Sequence, residues 1–281
     1  MKFLWLSDFF IENNIKGGAE LVDDEVINLV SQRGHEVQKL NTSFINPLLL
    51  EQLDYDHIII SNFTNLSKDS KEYLIVNSNY SILEHDHKYL KNRDPSVYRD
   101  HLAPLSEIVN AHFYEYAKNV FCQTKMHKDV LLKNLNLWNC TSLGGSVWSD
   151  DHLETINKLK DSPKKHKYGV LKSDNEVKNT LLAEKYCVSN GLEYTLISSD
   201  DFTAFMEQLS EVETLVFFPK VLETCCRLVV EARMLNCGVI TNDIVGATSE
   251  PWFHMKGMPL LSRILELKGE YVDTILKNII P

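Results

Sequence analysis

Long hydrophobic runs are missing from this chain of 281 residues, and none approaches the roughly 20 apolar residues that a membrane-spanning helix needs. No basic leader with a cleavage site precedes the first apolar segment, so a cytoplasmic protein without a membrane span is expected. Cations are in the minority, with 29 Lys and Arg against 39 Asp and Glu and a formal net charge of −10. That balance argues against a general polyanion binder, which neutralises phosphates with many Lys and Arg, so general nucleic-acid binding is not expected. No C-x-x-C pair occurs among the six cysteines, and Cys225 and Cys226 are adjacent, a poor geometry for an ordinary disulfide. Reduced thiols, mostly in the core, are expected. His85 and His87 form a His-x-His pair, but no Cys or third His stands at a recognised spacing from them. No metal and no other cofactor is therefore expected. Short internal repeats are absent as well.

What the chain does contain is an ordinary globular mixture, 44% hydrophobic and 24% charged, at a length suited to two domains of about 140 residues. In the first half, strands are expected at Lys2 to Ser7, His35 to Leu40, His57 to Ser61, Tyr80 to Leu83 and Val120 to Gln123. Helices are expected at Gly18 to Arg33, Lys68 to Val76, Ser106 to Ala117 and Lys125 to Leu135. The second half repeats the theme, with strands at Lys167 to Leu171, Glu193 to Ser198, Leu215 to Phe218 and Val239 to Thr241. Its helices are expected near Asn175 to Ser189, Asp201 to Leu209 and Cys226 to Asn236, with a final helical stretch over Leu261 to Ile280. Such alternation predicts the α/β class, with a parallel, doubly wound sheet in each half. The polar stretch Trp148 to Lys167 places a hinge near residues 145 to 165, giving domains of 1–150 and 151–281.

The segment from Pro219 to Thr241 is the most informative. Leu215 to Phe218 reads as a buried parallel strand that Pro219 ends, so the strand points at Glu223. Leu228, Val229, Ala232 and Leu235 then recur at helical spacing, and Gly238 stands where a left-handed residue closes a helix. In such a βαβ unit the ligand crevice lies beyond the carboxyl ends of the strands, where a helix N-terminus offers N–H groups to a phosphate. Cys225, Cys226 and Arg227 fall at that spot. Glu231 lies about 60° from Leu228 around the helix, on the flank of the apolar stripe, where a carboxylate needs a partner. A vicinal diol serves, since two hydroxyls can donate to its two oxygens at once. Glu223, in the loop before the helix, reaches further along the same ligand. Diol, diphosphate and a second polyol describe a nucleotide sugar.

Glu-x7-Glu followed by Ala, a helix ending in Gly and a Val-Ile strand resembles the retaining glycosyltransferases of the GT-B fold, especially family four. The resemblance implies two Rossmann-like domains facing across a cleft, with acceptor bound by the first and donor by the second. In the family a terminal helix often crosses back to the first domain, so for the last helix here that course and a plain capping helix are both open. Glu223 would contact hydroxyls of the donor sugar, from UDP-sugar or GDP-sugar, and Glu231 the nucleotide ribose. Transfer would be metal-independent, with the leaving phosphate as base.

Gly17-Gly18-Ala19-Glu20, after the first strand, is similar to a family loop that faces the donor diphosphate and the acceptor; paired glycines permit positive φ and close ligand approach. Asp8, Phe9 and Phe10, in the long loop from Ser7 to Lys16, would shape an acceptor site. His85-Asp86 matches the family's His-Asp at a strand end, where His85 would position the sugar and stabilise developing charge, with Asp86 near the acceptor. In the second half, Lys178 matches the family's diphosphate-clamping Lys. Val170, however, stands where the family has Arg, and Lys172 or Arg227 would supply the missing charge. Asn242 to Glu250 would help close the nucleotide pocket and Ser198 to Asp201 frame the base. Two alternatives remain open at this stage: a nucleotide-sugar epimerase or hydrolase of the same fold, and a non-catalytic sugar-nucleotide-binding subunit. The acceptor is open between glycan, lipid-linked sugar, small molecule, protein and hydroxylated nucleobase.

Overall fold

The computed structural model describes residues 1–13 and 17–280; the end of the first loop at Lys16, and Pro281, lie outside the described residues. The chain divides into two units, one of Met1–Trp148 with the chain from Lys268 onward, the other of Ser149–Leu267. In the first unit β1 (Lys2–Ser7), α1 (Gly18–Gln32), β2 (Glu36–Asn41), α2 (Pro47–Gln52) and β3 (His57–Ile60) follow one another. Next come α3 (Lys68–Asn77), β4 (Tyr80–Glu84), α4 (Ala111–Glu115), β5 (Val120–Cys122), α5 (Lys125–Asn134) and β6 (Cys140–Ser142). The six strands form one sheet in the order β2-β1-β3-β4-β5-β6, and every pairing is parallel.

Alternate strand residues go to opposite faces of this sheet, and both faces are covered. Leu4, Leu6, Ile58, Ile60 and Ile82 pack with Leu50, Leu74, Phe113 and Leu131 on one side. Phe3, Trp5, Ile59, Leu83 and Phe121 pack with Val22, Val26 and Val30 of α1 on the other. Burial on both faces is why these strands read as continuous apolar runs.

The second unit contains α6 (Asp150–Leu159), β7 (His166–Leu171), α7 (Thr180–Ser189), β8 (Tyr194–Ile197), α8 (Phe202–Ser210), β9 (Val212–Val216), α9 (Arg227–Met234) and β10 (Gly238–Ile240). Its parallel sheet has the order β10-β9-β7-β8. The chain ends in α10 (Met258–Ile279), whose Tyr271, Val272, Ile275 and Leu276 belong to the α1-side core of the first unit. No helix among the described residues is long and apolar enough to cross a membrane.

Several expected elements differ, each for a local reason. The stretch read as a hinge holds α6, which Ser149 caps by accepting from the His152 N–H, and which buries Leu153 and Ile156. Helix Ser106 to Ala117 shrinks to α4, because residues before it are spent on a bridge between Leu90 and Ile108. In that bridge Lys91 donates to the Glu107 carbonyl and Val109 to that of Tyr89, so those groups are not available to a helix. Asn236, at φ 64°, takes the left-handed position after α9, while Gly238 opens β10. A Cβ at Gly238 would come within 3.0 Å of Thr214 Oγ1, a close inter-strand contact that favours glycine there. Short β6 and α2 were not anticipated.

Candidate functional site

The order β10-β9-β7-β8 puts the reversal of strand succession between β7 and β9, and open parallel sheets gather ligands beyond the carboxyl ends of strands at such a point. Two loops leave there. The one after β7 carries Lys172, whose side chain is exposed, and a single 3-10 turn, Glu176–Lys178. The one after β9 carries Glu223 and then α9. Lys220 N–H donates to the Val177 carbonyl at 2.9 Å, tying the two loops together. Glu223 is fixed through its backbone, donating to the Ile244 carbonyl at 2.9 Å and accepting from Gly246 N–H at 2.8 Å.

This framework brings Lys178 and Glu223 into contact: Lys178 Nζ donates to Glu223 Oε1 at 2.7 Å, with side chains 33% and 18% exposed. Burial acts to lower the Lys178 pKa, but the Glu223 charge, the neighbouring Cys226 and the hydrogen bond to Glu223 together raise it. The ammonium is therefore kept charged beside the carboxylate. Cys226 precedes α9 at φ 68°, ψ 84°, a left-handed conformation that a side chain rarely adopts. Burial first, then the Glu223 charge, push its thiol well above the usual range, so it is a neutral thiol and no nucleophile.

Arg227 opens α9, and its Nε lies 3.7 Å from Glu231 Oε1 one turn later, with side chains 13% and 9% exposed. The partner that the buried position of Glu231 demands is thus supplied by this arginine. His152 of α6 belongs to the same neighbourhood and was missed in the sequence because its helix was read as hinge. Its ring stacks on Phe202 with centroids 3.8 Å apart, and burial followed by the Arg227 charge lowers its pKa. Val170 sits at 0% exposure among Ala183, Cys187 and Val216, so the position expected to hold an arginine is part of the core. Among the loop expectations, Asp201 caps α8 by accepting from Ala204 N–H, and Gly246–Ser249 forms a 3-10 turn beside Glu223.

In the first unit the corresponding reversal lies between β1 and β3. Asp8, which follows β1, accepts from the Thr64 and Asn65 N–H groups after β3 and from the Thr42 and Thr64 hydroxyls. Those bonds spend the carboxylate on joining loops. Of the three residues expected to shape an acceptor site, Phe10 is buried as well, and Phe9 alone is exposed. Gly17 caps α1 at φ −82°, and neither it nor Gly18 uses the positive φ that glycine permits. A Cβ at Gly17 would meet Glu20 Oε2 at 2.4 Å, a contact that the flexible Glu20 side chain can relieve by swinging away.

His85 and Asp86 lead apart. His85 Nε2 lies 2.8 Å from Asp23 Oδ1 of α1, and Asp23 also accepts from Ser61 Oγ. Gln123 Nε2 lies 3.3 Å from His85 Nδ1. Asp86 instead pairs with Lys88 at 2.5 Å and Arg93 at 3.3 Å. Burial acts to raise the Asp86 pKa, but Lys88 and Arg93 hold it well below the usual carboxylate range. Lys88 donates to Glu84 also, and Tyr114 Oη donates to the other Glu84 oxygen. Asp86 is thereby anchored in an ion cluster, a third exposed, instead of standing ready as an isolated carboxylate. Among the described residues no group of three or more His, Cys, Asp and Glu is placed to hold a metal ion.

No protein-family model matches the chain, and no curated protein matches it. Solved structures do. HepE from Anabaena, in complex with UDP and glucose, is similar at 13% identity and a TM-score of 0.53, over 99% of this chain and 95% of that one. A glycosyltransferase from Rickettsia africae is similar at 12% identity and 0.55, over 99% and 93%. The catalytic domain of starch synthase IV from Arabidopsis thaliana, bound to ADP and acarbose, reaches 0.56 at 9% identity, over 99% and 95%. The chain has an α/β fold with parallel sheets in two Rossmann-like units, the GT-B fold of glycosyltransferases.

Proposed function

We propose that this protein moves a sugar from a nucleoside diphosphate sugar, UDP-sugar or GDP-sugar, to an acceptor hydroxyl, with retention and without a metal ion. One observation carries the reading. Lys178 and Glu223, from loops after β7 and β9, form a partly exposed ion pair at the reversal point of the second sheet, next to the start of α9. A cation and a carboxylate placed together there match the two needs of such a donor, a charged diphosphate and a hydroxylated ring. HepE, similar in fold, holds UDP and glucose in its structure, which supports the same ligand class here.

In this reading Lys178 turns to the diphosphate when donor binds, with Arg227 and the exposed Lys172 adding charge. Glu223 then accepts from hydroxyls of the sugar, and Glu231 takes the ribose diol. Cys226 contributes its backbone at the opening of α9; in the first unit Gly17, Gly18 and His85 are the candidates for binding substrate, with Asp86 held by Lys88 and Arg93. The bond from the anomeric carbon to the phosphate oxygen breaks with its electron pair on the phosphate. The acceptor oxygen bonds that carbon on the same face, and its proton passes to the leaving phosphate. Lys178 and Arg227 stabilise the charge as it develops.

Calorimetry with UDP and GDP tests the donor half. Wild-type protein is expected to bind one of them, and Glu231→Ala to weaken that binding by about tenfold, or roughly 1.4 kcal/mol. Glu223→Ala is expected to lower turnover by about a hundredfold or more with nucleotide affinity nearly kept. Failure of the wild type to bind either nucleotide would overturn the proposal.

A further inference from the structure

The hydrogen-bond chain Ser61–Asp23–His85–Gln123 lies wholly in the first unit and joins three strand ends to α1. Asp23 is 0% exposed, on the second turn of the helix that Gly17 opens, and the His85 side chain is 4% exposed. A carboxylate only accepts, so the His85 nitrogen facing Asp23, Nε2, carries a hydrogen. The Gln123 amide nitrogen only donates, so the nitrogen facing it, Nδ1, presents a lone pair. Ser61 Oγ donates to the second Asp23 oxygen and fixes the carboxylate plane, as an outer partner fixes any ligand that must point one way.

We propose that Asp23 is a positioning residue for His85: it locks the ring with hydrogen on Nε2 and keeps Nδ1 as an acceptor for a substrate hydroxyl. The Gln123 contact, at 3.3 Å, is long for a hydrogen bond and is the one a hydroxyl replaces. The Asp23 contact, at 2.8 Å and out of water, is the one that stays. The identity of the group that meets Nδ1 rests on the sugar-transfer reading, whereas the lock itself does not. It assigns a role to Asp23, a residue that the sequence pattern did not single out.

Nitrogen-15 NMR of the imidazoles in the full-length protein decides the lock, with His85→Gln used to assign the signals. Wild-type His85 is expected in the Nε2–H form, and Asp23→Ala is expected to shift it toward a mixture of both forms. Ser61→Ala, milder and therefore safe for the fold, is expected to give a smaller shift in the same direction. In a transfer assay Asp23→Asn is expected to lower kcat by about tenfold or more, as misplacement of a reacting group does, with donor KM nearly unchanged. Wild-type His85 protonated on Nδ1, or an unchanged tautomer in both variants, would overturn the inference. A clean Nε2–H signal in a protein that binds no nucleoside diphosphate would uphold the lock while removing the sugar-transfer reading.

Discussion

Cys226 shows how a single residue can be out of keeping with its backbone. At φ 68° its Cβ crowds the following carbonyl, a strain of about 1–2 kcal/mol that glycine would not carry. The thiol is buried, close to Glu223 and Lys178, and its packing there offsets the strain. Removing the side chain in two steps separates the two terms. Cys226→Ala loses the packing and keeps the crowding, whereas Cys226→Gly loses both. Urea unfolding is therefore expected to find the glycine variant more stable than the alanine variant by about 1 kcal/mol. Equal stabilities would show that the left-handed conformation is not held in solution. At the same scale, Lys178 and Glu223 were singled out one at a time, Glu223 by its place in the loop before a helix and Lys178 by its match to the family's lysine within the expected helix Asn175 to Ser189. Their pairing was not legible, because it depends on β7 and β9 being neighbours, and that is a property of strand order.

Elements were legible wherever burial on both faces or a sustained apolar stripe wrote itself into the chain. His57 to Ile60 reads as a strand because three consecutive isoleucines leave no polar face, and α1 reads as a helix because Val22, Val26, Leu29 and Val30 share one side. Short or polar elements escaped. Strand β6 has only Cys-Thr-Ser, each half-buried, and gains its identity from pairing with β5. Helix α6 escaped because Asp, Glu, Asn and Lys outweigh its two buried apolar residues, although its termini carried the signals. Ser149 caps it, Asp150 and Asp151 lie in its first turn and Lys158 in its last, the arrangement that complements a helix dipole. Ser149→Ala is accordingly expected to cost about 1 kcal/mol in chemical denaturation. A change below the error of that measurement would mean that water replaces the cap. The asymmetric legibility extends to the candidate sites: Asp23 was invisible because it lies within α1, away from any loop, and matters only through the fold that brings it to His85.

On the scale of the whole molecule, His57, His85, His87 and His127 are buried and all lie in the first unit, whereas His152 of the second unit is half-buried, and this has a consequence for acid. Burial pushes His57 and His87 each down to about 4, and lowers His127 as well. The unfolded chain thus binds more protons than the folded one between about pH 6.5 and 4, so stability falls as the pH falls through that window. Asp86, held low by Lys88 and Arg93, adds to the loss at still lower pH, whereas Glu84, raised by burial, opposes the loss at pH above its ordinary value of 4.5. Each of the two rings accounts for up to about 3 kcal/mol. His57→Gln is expected to flatten the pH dependence of unfolding between 6.5 and 4, and an unchanged slope would show that His57 does not titrate with folding. The second consequence concerns α10, which begins in one unit and ends in the core of the other. Ile275, fully buried with Val26, Ile59 and Phe121, belongs to the first unit although the chain reaches it last. Ile275→Ala removes three buried carbons and leaves a cavity, at a cost of about 2–5 kcal/mol. A loss confined to one unit appears as faster hydrogen exchange in β1, β3 and β5, with β7 and β9 protected as before and UDP or GDP affinity unchanged. Exchange rising equally in both sheets would mean instead that the two units open as a single cooperative body.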